Sequence, residues 1–521
     1  MAVTTFAAID VGSNEVSLKI FELGKKNQMK ELTHVRHIME LGSDTYVSGY
    51  ISNHLIDELC DVLDGFRKIM KEFQVTEYRA YSTSSIREAA NRQSLLDRVR
   101  IRTGIDVNIL TNSEQRYLLY QAVALREPAF NSIIKHGAML VEVGSGSSQA
   151  TCFSGGKLVV SHNLRLGSIR LSEFLSTLER EADSYADLLS EYIDGDIYTS
   201  YKTYFHKYRI RSILAIGEEL RDLEQYIKIN LQQNDSSAVK ITSEELTTIY
   251  NSILTHSNSE IATMLGTTDE QARLLLPTAM IYEKLMSINK ADTIYFNSTD
   301  LCDGIVVQYA LDNNRLSKVR DFDKDVLSAA KKLAIRYSSN TIHTTYVEKL
   351  AGKIFEGLSH ISGLNKHDKL LLLVAVRLHD CGAYINFEEV AANSYNIIRS
   401  SEILGLTDKD NLMIANIVMN PVKSFPSYSE LKNDFTEKEY IKIAKLTGIF
   451  RLANDLDTSK KQKLSHLKVT LKNNTLQITG ESFMDLALET AYFNESARFF
   501  ERIFGIVPKL KQRRINNVSD L

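Results

Sequence analysis

The sequence predicts an α/β protein built on an internal duplication, continued by a helical region and closed by a small α/β piece. Three observations carry this prediction. An acid–x–Gly–Ser turn between short apolar strands occurs twice, at Asp10-Val-Gly-Ser-Asn14 and at Glu142-Val-Gly-Ser-Gly-Ser-Ser148, each at the head of alternating strands and helices. From about Val319 the apolar residues take up helical spacing. Near the end, two alternating segments flank Asn473-Asn474, a hairpin signal.

Phe6 to Asp10 reads as a buried strand, Gly12 to Asn14 as a tight turn and Val16 to Glu22 as a second strand. Helical spacing follows from His54 to Phe73, then a strand at Tyr78–Ser82 and a helix from Ser84 to Asp97. Val107–Leu110 reads as a strand and Ser113–Ala124 as a helix. The pattern restarts with a strand at Gly137–Val143, a turn at Gly144–Ser148, and strands at Gln149–Phe153 and Lys157–Val160. Helices follow, and a strand at Ser212–Ile216 ends in Gly217. Beyond Val319, helices are expected at Asp325–Ile335, His343–Leu358, Lys369–His379, Ser394–Leu404 and Glu437–Ala453. Strands at His466–Leu471 and Thr475–Thr479 and a helix at Glu489–Phe504 complete the chain. Four parts result: residues 1–127, 128–316, 317–463 and 464–521.

A length of 521 residues fits several domains. The net charge of −3 gives no global pull toward nucleic acid or a membrane surface, so an anionic ligand must be held by local groups. Cys60, Cys152, Cys302 and Cys381 are scattered and form no CxxC pair, which suits reduced thiols better than disulfides or zinc. The N-terminal residues do not read as a signal peptide, and the longest apolar run, Leu370–Val376, is too short to cross a bilayer. A cytoplasmic location is expected. The basic stretch Lys509–Arg514 reads as a solvated charge run rather than a polyanion contact.

Phosphate binding needs several N–H donors converging on a small space. Glycine lets the backbone approach, and serine adds hydroxyls. Gly12, Ser13 and Asn14 in the first loop, and Gly144, Gly146, Ser147 and Ser148 in the second, meet this need. Asp10 and Glu142, just before each turn, suit a metal ion or a positioned water. One such turn would be an ordinary hairpin, but two in corresponding places point to a site. Thr83-Ser-Ser-Ile-Arg87 lies where a strand meets a helix, so a helix N-terminus and Arg87 can grip an anion there, with Asn91 one turn on. Gly167-Ser-Ile-Arg170 offers a second glycine-plus-arginine turn. For either arginine an ordinary salt bridge is the equal alternative.

In their order these motifs resemble the exopolyphosphatase/guanosine-pentaphosphatase (Ppx/GppA) family of the actin/hexokinase-like (ribonuclease H-like) ATPase superfamily. The matching pieces are Phe6 to Asn14, Ser82-Thr-Ser-Ser-Ile-Arg-Glu-Ala-Ala-Asn91, Leu110-Thr-Asn-Ser-Glu-Gln115, Leu140 to Gln149 and Leu164-Arg-Leu-Gly-Ser-Ile-Arg-Leu171. The resemblance implies two actin-like lobes, an all-α HD-like domain and a small C-terminal α/β domain. It implies hydrolysis of terminal phosphoanhydride bonds of inorganic polyphosphate or guanosine pentaphosphate with Mg²⁺, and a possible homodimer. Carried over residue by residue, Asp10 and Glu142 would hold Mg²⁺. Gly12, Ser13, Asn14, Arg87, Asn91, Gly144, Gly146, Ser147, Ser148, Gly167 and Arg170 would bind phosphate.

The departures from the pattern bear on catalysis. The family's base glutamate aligns with Gln115, and the acid closing the second loop with Gln149. Glu142 stands for an aspartate, Ser145 for a glycine, and a later glycine turn is shortened to Gly217-Glu-Glu-Leu-Arg221. Glutamine cannot take a proton from water, and losing a general base typically costs on the order of 10²–10⁴ in rate. Glu114 is a candidate substitute, although neighbouring helical positions point about 100° apart. The expectation is therefore a phosphohydrolase of reduced activity, or else a non-catalytic sensor of polyphosphate or guanosine tetra- or pentaphosphate. An ATPase or kinase of the same superfamily is the third reading, and it lacks a distinct adenosine-binding glycine segment.

In the helical region, His343 and His379-Asp380 resemble the metal-ligand pattern of HD phosphohydrolases. The last aspartate of that pattern aligns with Asn454, and further histidines are replaced near Asn393 and Pro421. The alternative is that His379 and Asp380 form an internal hydrogen-bonded pair.

Overall fold

Two sheets with matching strand orders carry the two glycine/serine turns. The computed structural model describes residues 3–25, 27–176, 184–232, 239–317, 319–419 and 425–514. The chain divides into two units, Met1–Phe322 and Asp323–Leu521.

In the first unit, β1 (Thr4–Val11), β2 (Glu15–Leu23) and β3 (Met29–Ile38) form an antiparallel meander, and β4 (Glu77–Ser82) and β5 (Val107–Ile109) continue it in parallel as β3-β2-β1-β4-β5. The second sheet repeats this plan. Its meander is β6 (Ala138–Val143), β7 (Ser148–Ser154) and β8 (Lys157–Leu164), with β9 (Ser212–Ile216) parallel to β6. β10 (Lys240–Thr242) and β11 (Thr293–Asn297) complete the order β10-β11-β9-β6-β7-β8. β1 is buried on both faces from Phe6 to Val11, which is why its sequence is a continuous apolar run and not an alternating one.

The duplication extends further than the two turns. After each meander the same three residues, Leu41-Gly-Ser43 and Leu166-Gly-Ser168, stand at the start of a short helix, which begins at Leu41 in the first half and at Ser168 in the second. Each helix start clasps its own loop. Gly42 N–H donates to Ser13 O at 2.8 Å and Met39 N–H to Asn14 O at 2.9 Å. In the second half Ser168 N–H donates to Gly144 O at 3.1 Å and Arg170 N–H to Ser145 O at 3.0 Å.

Several elements differ from the expected ones. The helix from Ser84 to Asp97 is two helices, Ser84–Glu88 and Arg92–Thr103, separated where Ala89 turns extended. The helix expected at Ser394–Leu404 runs Val390–Arg399. The helix Leu301–Asp312, which falls within the expected second part 128–316, packs on the first sheet. Its Leu301, Ile305, Val306 and Tyr309 join Phe6 and Phe21 in one core, with the Phe6 and Tyr309 rings stacked at 4.1 Å. Its apolar face covers the side of β1 and β2 that would otherwise meet water.

In the second unit, the helices Thr341–Gly357, Lys366–Leu378, Asp408–Met419 and Glu437–Asp455 pack around one core. β12 (Ser465–Lys472), β13 (Thr475–Ser482) and β14 (Val507–Arg514) form a three-stranded sheet. Leu476 and Ile478 of β13 and Phe493 and Phe500 of the helix Ala487–Phe504 sit in that same core, so the stretch from 464 onward shares the interior of the helices before it. Asn473 and Asn474 take left-handed φ values of 44° and 59°, as the hairpin requires. Lys509–Arg514 is a strand paired parallel to β13, and its Lys509, Lys511 and Arg513 point to solvent. All four cysteines are buried and free. Among the described residues no helix is long and apolar enough to cross a membrane.

Candidate active site

The carboxyl ends of β1, β4, β6 and β9 converge on one cleft of about 540 Å³ within the first unit. Both glycine/serine loops open into it. They are the same turn made twice, with Gly12 N–H donating to Glu15 O at 2.9 Å and Gly144 N–H to Ser147 O at 3.1 Å. Gly12, Ser13, Gly144, Gly146 and Ser147 line the cleft as the sequence led us to expect, together with Asp10, Glu142 and Gln115.

The other expected phosphate ligands serve the walls instead. Asn91 brackets the backbone of Ile51, accepting from its N–H at 3.2 Å and donating to its carbonyl at 2.8 Å. Ser148 donates to Leu166 O. Asn14 leaves its Oδ1 buried without a partner and does not line the cleft. Arg87 donates to Leu110 O and to Asn112 Oδ1, both at 2.6 Å. Arg170 donates through Nε to Gly146 O at 2.7 Å and grips the Glu88 carboxylate at 2.7 and 2.8 Å. Arg170 thus takes the salt bridge that was the alternative, while half-buried Arg87 donates to a backbone carbonyl and a side-chain amide oxygen.

Glu114 is also corrected. It is the third residue of a capping box, and its Oε2 accepts from Thr111 N–H at 2.9 Å and Thr111 Oγ at 2.8 Å. A carboxylate committed to a helix cap is not aimed at a water in the cleft.

Tyr46 has no sequence signal, yet it joins the two halves. Its hydroxyl forms a triangle with Ser13 Oγ at 2.9 Å and Ser84 Oγ at 2.9 Å, closed by Ser13–Ser84 at 3.1 Å. The Arg170 guanidinium lies 4.2 Å over its ring. A Cβ on Gly146 would fall 2.0 Å from Tyr46 Oη, so glycine is required there. Gly167 is tighter still, since its Cβ would meet Gly146 C, Ser145 O and Ser147 N at 2.3–2.5 Å, all backbone atoms. Gly167→Ala is expected to displace the second loop, lower stability by about 1–3 kcal/mol and weaken anion binding. Thermal unfolding and calorimetric titration together would check this, and unchanged binding would show that the loop tolerates the shift.

The cleft is strongly acidic. Burial, then Asp300, Glu15 and Glu142, push the Asp10 carboxyl well above its ordinary range. Burial raises Glu142 to about 7 against the stabilising effect of Gln115, whose Nε2 donates to Glu142 Oε1 at 2.9 Å. Glu218 is raised well above its usual value by burial and by Glu15, Asp10 and Asp300, and burial raises Glu219 to about 7. Nearby cations are already engaged. Arg36 holds Glu15, Lys19 holds Asp300 at 2.6 Å and Asp303 at 3.2 Å, and Arg126 holds Asp303 at 2.8 Å. Glu218 and Glu219, named above in the shortened turn, line the cleft, and Glu15, which motif reading passed over, acts on it through its charge. Glu15 directly follows the first motif, and Glu218 and Glu219 stand where a phosphate turn was expected.

This charge fits a hard divalent cation. Asp10 Oδ1, Glu142 Oε2 and Glu218 Oε1 are buried oxygens without a hydrogen-bond partner. Among the described residues no three His, Cys, Asp or Glu side chains converge as a ready-made cage. One or two carboxylates plus waters and ligand phosphates is how Mg²⁺ is ordinarily held.

A pH dependence follows. Where folding raises a carboxyl pKa, the native state keeps protons that the unfolded chain has released. That stability is full below the ordinary carboxylate pKa and is lost as pH rises through the folded value. For Glu142 and Glu219 this window ends near pH 7. Metal-free protein is therefore expected to lose about 1–3 kcal/mol of stability between pH 5.5 and 8, and Mg²⁺ should restore part of it at pH 8. Scanning calorimetry with and without Mg²⁺ measures both, and a flat profile would refute the acidic-cleft account.

The second unit does not assemble the expected HD-like ligand set. His343 Nδ1 lies 2.8 Å from Asp457 Oδ2, and His343 Nε2 lies 3.2 Å from Asn454 Oδ1, so both ring nitrogens are occupied. His379 Nδ1 donates to Val376 O at 2.7 Å, and Asp380 Oδ2 accepts from Asn340 N–H at 3.0 Å. His379 and Asp380 thus take separate partners and do not bond each other, while the His343 and His379 rings lie 5.2 Å apart. Asn393 donates to Asn386 Oδ1 at 3.3 Å, and position 421 lies outside the described residues.

Comparison with known proteins places these features. Residues 20–313 match the model of the Ppx/GppA phosphatase family, and residues 327–497 match the model of Ppx/GppA phosphatase domain III. Exopolyphosphatase 1 of Mycobacterium leprae is 22% identical over 302 residues, covering 58% of this chain and 88% of that protein. Exopolyphosphatase 1 of Mycobacterium tuberculosis is 25% identical over 190 residues, covering 36% of this chain. The bifunctional 3-dehydroquinate synthase/phosphatase of Fusobacterium nucleatum is 23% identical over 230 residues, covering 43% of this chain. The chain spans 54% of the length of the M. tuberculosis protein and 31% of the F. nucleatum protein. Among solved structures, an exopolyphosphatase from Cytophaga hutchinsonii aligns with a TM-score of 0.53 at 17% identity, over 60% of this chain and 98% of that one. A Ppx/GppA family member from Aquifex aeolicus aligns with a TM-score of 0.50 at 20% identity, over 60% and 99%. These likenesses concern the fold.

Proposed function

The chain belongs to the Ppx/GppA phosphatase family, and from that premise we propose that it cleaves the terminal phosphoanhydride bond of inorganic polyphosphate, slowly, in the cleft between its two sheets. One observation carries the reading: both glycine/serine loops open on the same cleft beside buried carboxylate oxygens that have no partner. Asp10 and Glu142 would hold Mg²⁺, which when bound supplies neutralising charge beside phosphate oxygens. The loop N–H groups and the hydroxyls of Ser13, Ser84 and Ser147 bind and orient the terminal phosphate. Gln115 fixes Glu142 and cannot itself take a proton from water. Guanosine pentaphosphate carries the same terminal group and is the alternative substrate.

A second reading has its own support. Gln115 and Gln149 both stand where carboxylates would serve chemistry, and Gln149 Oε1 is buried without a partner. These favour a sensor that binds polyphosphate or a guanosine polyphosphate without turnover. Phosphate release from polyphosphate, pppGpp and ATP, with Mg²⁺ and with chelator, separates the readings. We expect Mg²⁺-dependent release from polyphosphate, about 10²–10⁴ slower than a site with an intact base would give. Tight binding with no release selects the sensor, and neither binding nor release defeats both.

A further inference from the structure

We propose that the second unit carries a separate oxyanion site between its first three helices, suited to a phosphoryl group. The site is a pocket, open to solvent, between the helices Phe322–Arg336, Thr341–Gly357 and Lys366–Leu378. It is distinct from the cleft described above, and none of its residues belongs to the glycine/serine loops.

Its lining is rich in donors with nothing to donate to. Lys331 and Lys349 enter from two different helices, and among the described residues neither ammonium has a carboxylate within salt-bridge distance. Thr341, Thr344 and Thr345 add three hydroxyls, and none of these hydroxyls takes part in a hydrogen bond among the described residues. Thr344 is 4% exposed, so its hydroxyl belongs to the wall of the cavity and not to open surface. Arg377 closes the third side. Its guanidinium is fixed by two 2.7 Å bonds to Glu348 and one to Leu327 O. Glu348 is the one carboxylate in the lining and is consumed by that pair, so Lys331 and Lys349 leave the cavity with a net positive charge.

The location adds to this. Thr341 is the first residue of a 17-residue helix, so the helix dipole also favours negative charge at that end. Two mobile ammonium groups, three hydroxyls and a helix start match the oxygens of a tetrahedral dianion better than a planar or apolar ligand. The source of the phosphoryl group is either free phosphate, a small phosphomonoester or the end of a polyphosphate chain.

Lysine-selective acylation of the intact protein, read residue by residue by mass spectrometry, tests the site without interference from the cleft. Inorganic phosphate, phenyl phosphate and tripolyphosphate are compared with chloride at equal ionic strength, and exposed Lys432 is the reference. Phosphate at ten times a dissociation constant leaves about one site in eleven free, so Lys331 and Lys349 should react about tenfold more slowly while Lys432 is unchanged. Whichever of the three protects at the lowest concentration identifies the source. Thr344→Val keeps the side-chain shape and should raise the protecting concentration severalfold without altering the melting temperature. Equal protection of Lys432, or protection unaffected by Thr344→Val, would overturn the site, because either result means general charge screening.

Discussion

Asp10→Asn is expected to lower Mg²⁺-dependent phosphate release by on the order of 10²–10³ and, at the same time, to raise the stability of the metal-free protein. Both effects have one cause. Asp10 is buried among Asp300, Glu15 and Glu142, and its raised pKa reports how poorly an isolated charge is tolerated there. A cation relieves that cost when it binds. An amide of the same shape relieves it permanently and takes away an anionic ligand. The stability gain should be about 1–3 kcal/mol at pH 8 and should shrink as the pH falls and the aspartate takes up its own proton. Phosphate release and thermal unfolding measured on the same variant decide the matter. Unaltered Mg²⁺ dependence would remove Asp10 from the metal site, and a loss of stability would mean that its carboxylate is held by a group other than the cation.

Gln115→Glu is expected to act in the opposite direction on rate. Gln115 Nε2 sits 2.9 Å from Glu142 Oε1, so the new carboxylate would face another at hydrogen-bond distance. Two such groups share a proton and titrate as a pair, with the second ionisation pushed upward. A base with a pKa near neutrality at this position should raise phosphate release by about 10–10², with a rate that climbs through pH 6–8. The side chain already points into the cleft, so no helix shift is needed. No gain at any pH would show that the missing carboxylate at 115 is not what limits this chain, and attention would pass to Gln149.

The core of the fold was legible because it is written in contiguous residues. β1, β6 and the turns after them combine apolar runs with glycine and serine, and burial on both faces demands such runs. The elements that were missed lack those signals. β3 is an edge strand with no fully buried residue, and the helix Leu41–Ser48 buries only Leu41, Gly42 and Thr45. Helix Leu301–Asp312 is apolar enough to be noticed, but which sheet it covers depends on a crossing that spacing along the chain does not encode.

The site was legible to a similar depth. The sequence located the glycine turns that line the cleft, because such a turn presents its N–H groups whatever surrounds it. It could not show the partners of the side chains, because a side chain answers to its neighbours in space. Arg87, Asn91 and Arg170 lie in the right segments and spend their donors on Leu110, Ile51 and Glu88. Glu114 is claimed by its own helix cap. Tyr46 bonds the cleft-lining Ser13 and Ser84 from a short helix whose counterpart follows the matching Leu166-Gly-Ser168, 125 residues on in sequence, and only the folded duplication relates them.

The contacts that Arg170 makes across the halves have a kinetic meaning. A matching cluster joins Arg273 and Glu173 of one half to Glu40 and Ser43 of the other, at 2.9–3.5 Å. Together with Arg170, Glu88 and Tyr46 it fastens the rim of the cleft at two points. A chain-like ligand entering end-on must thread past these fastenings or undo them. Ions in solution weaken both by screening. Salt should therefore speed ligand exchange in both directions, and residence time should respond to ionic strength more steeply than affinity does.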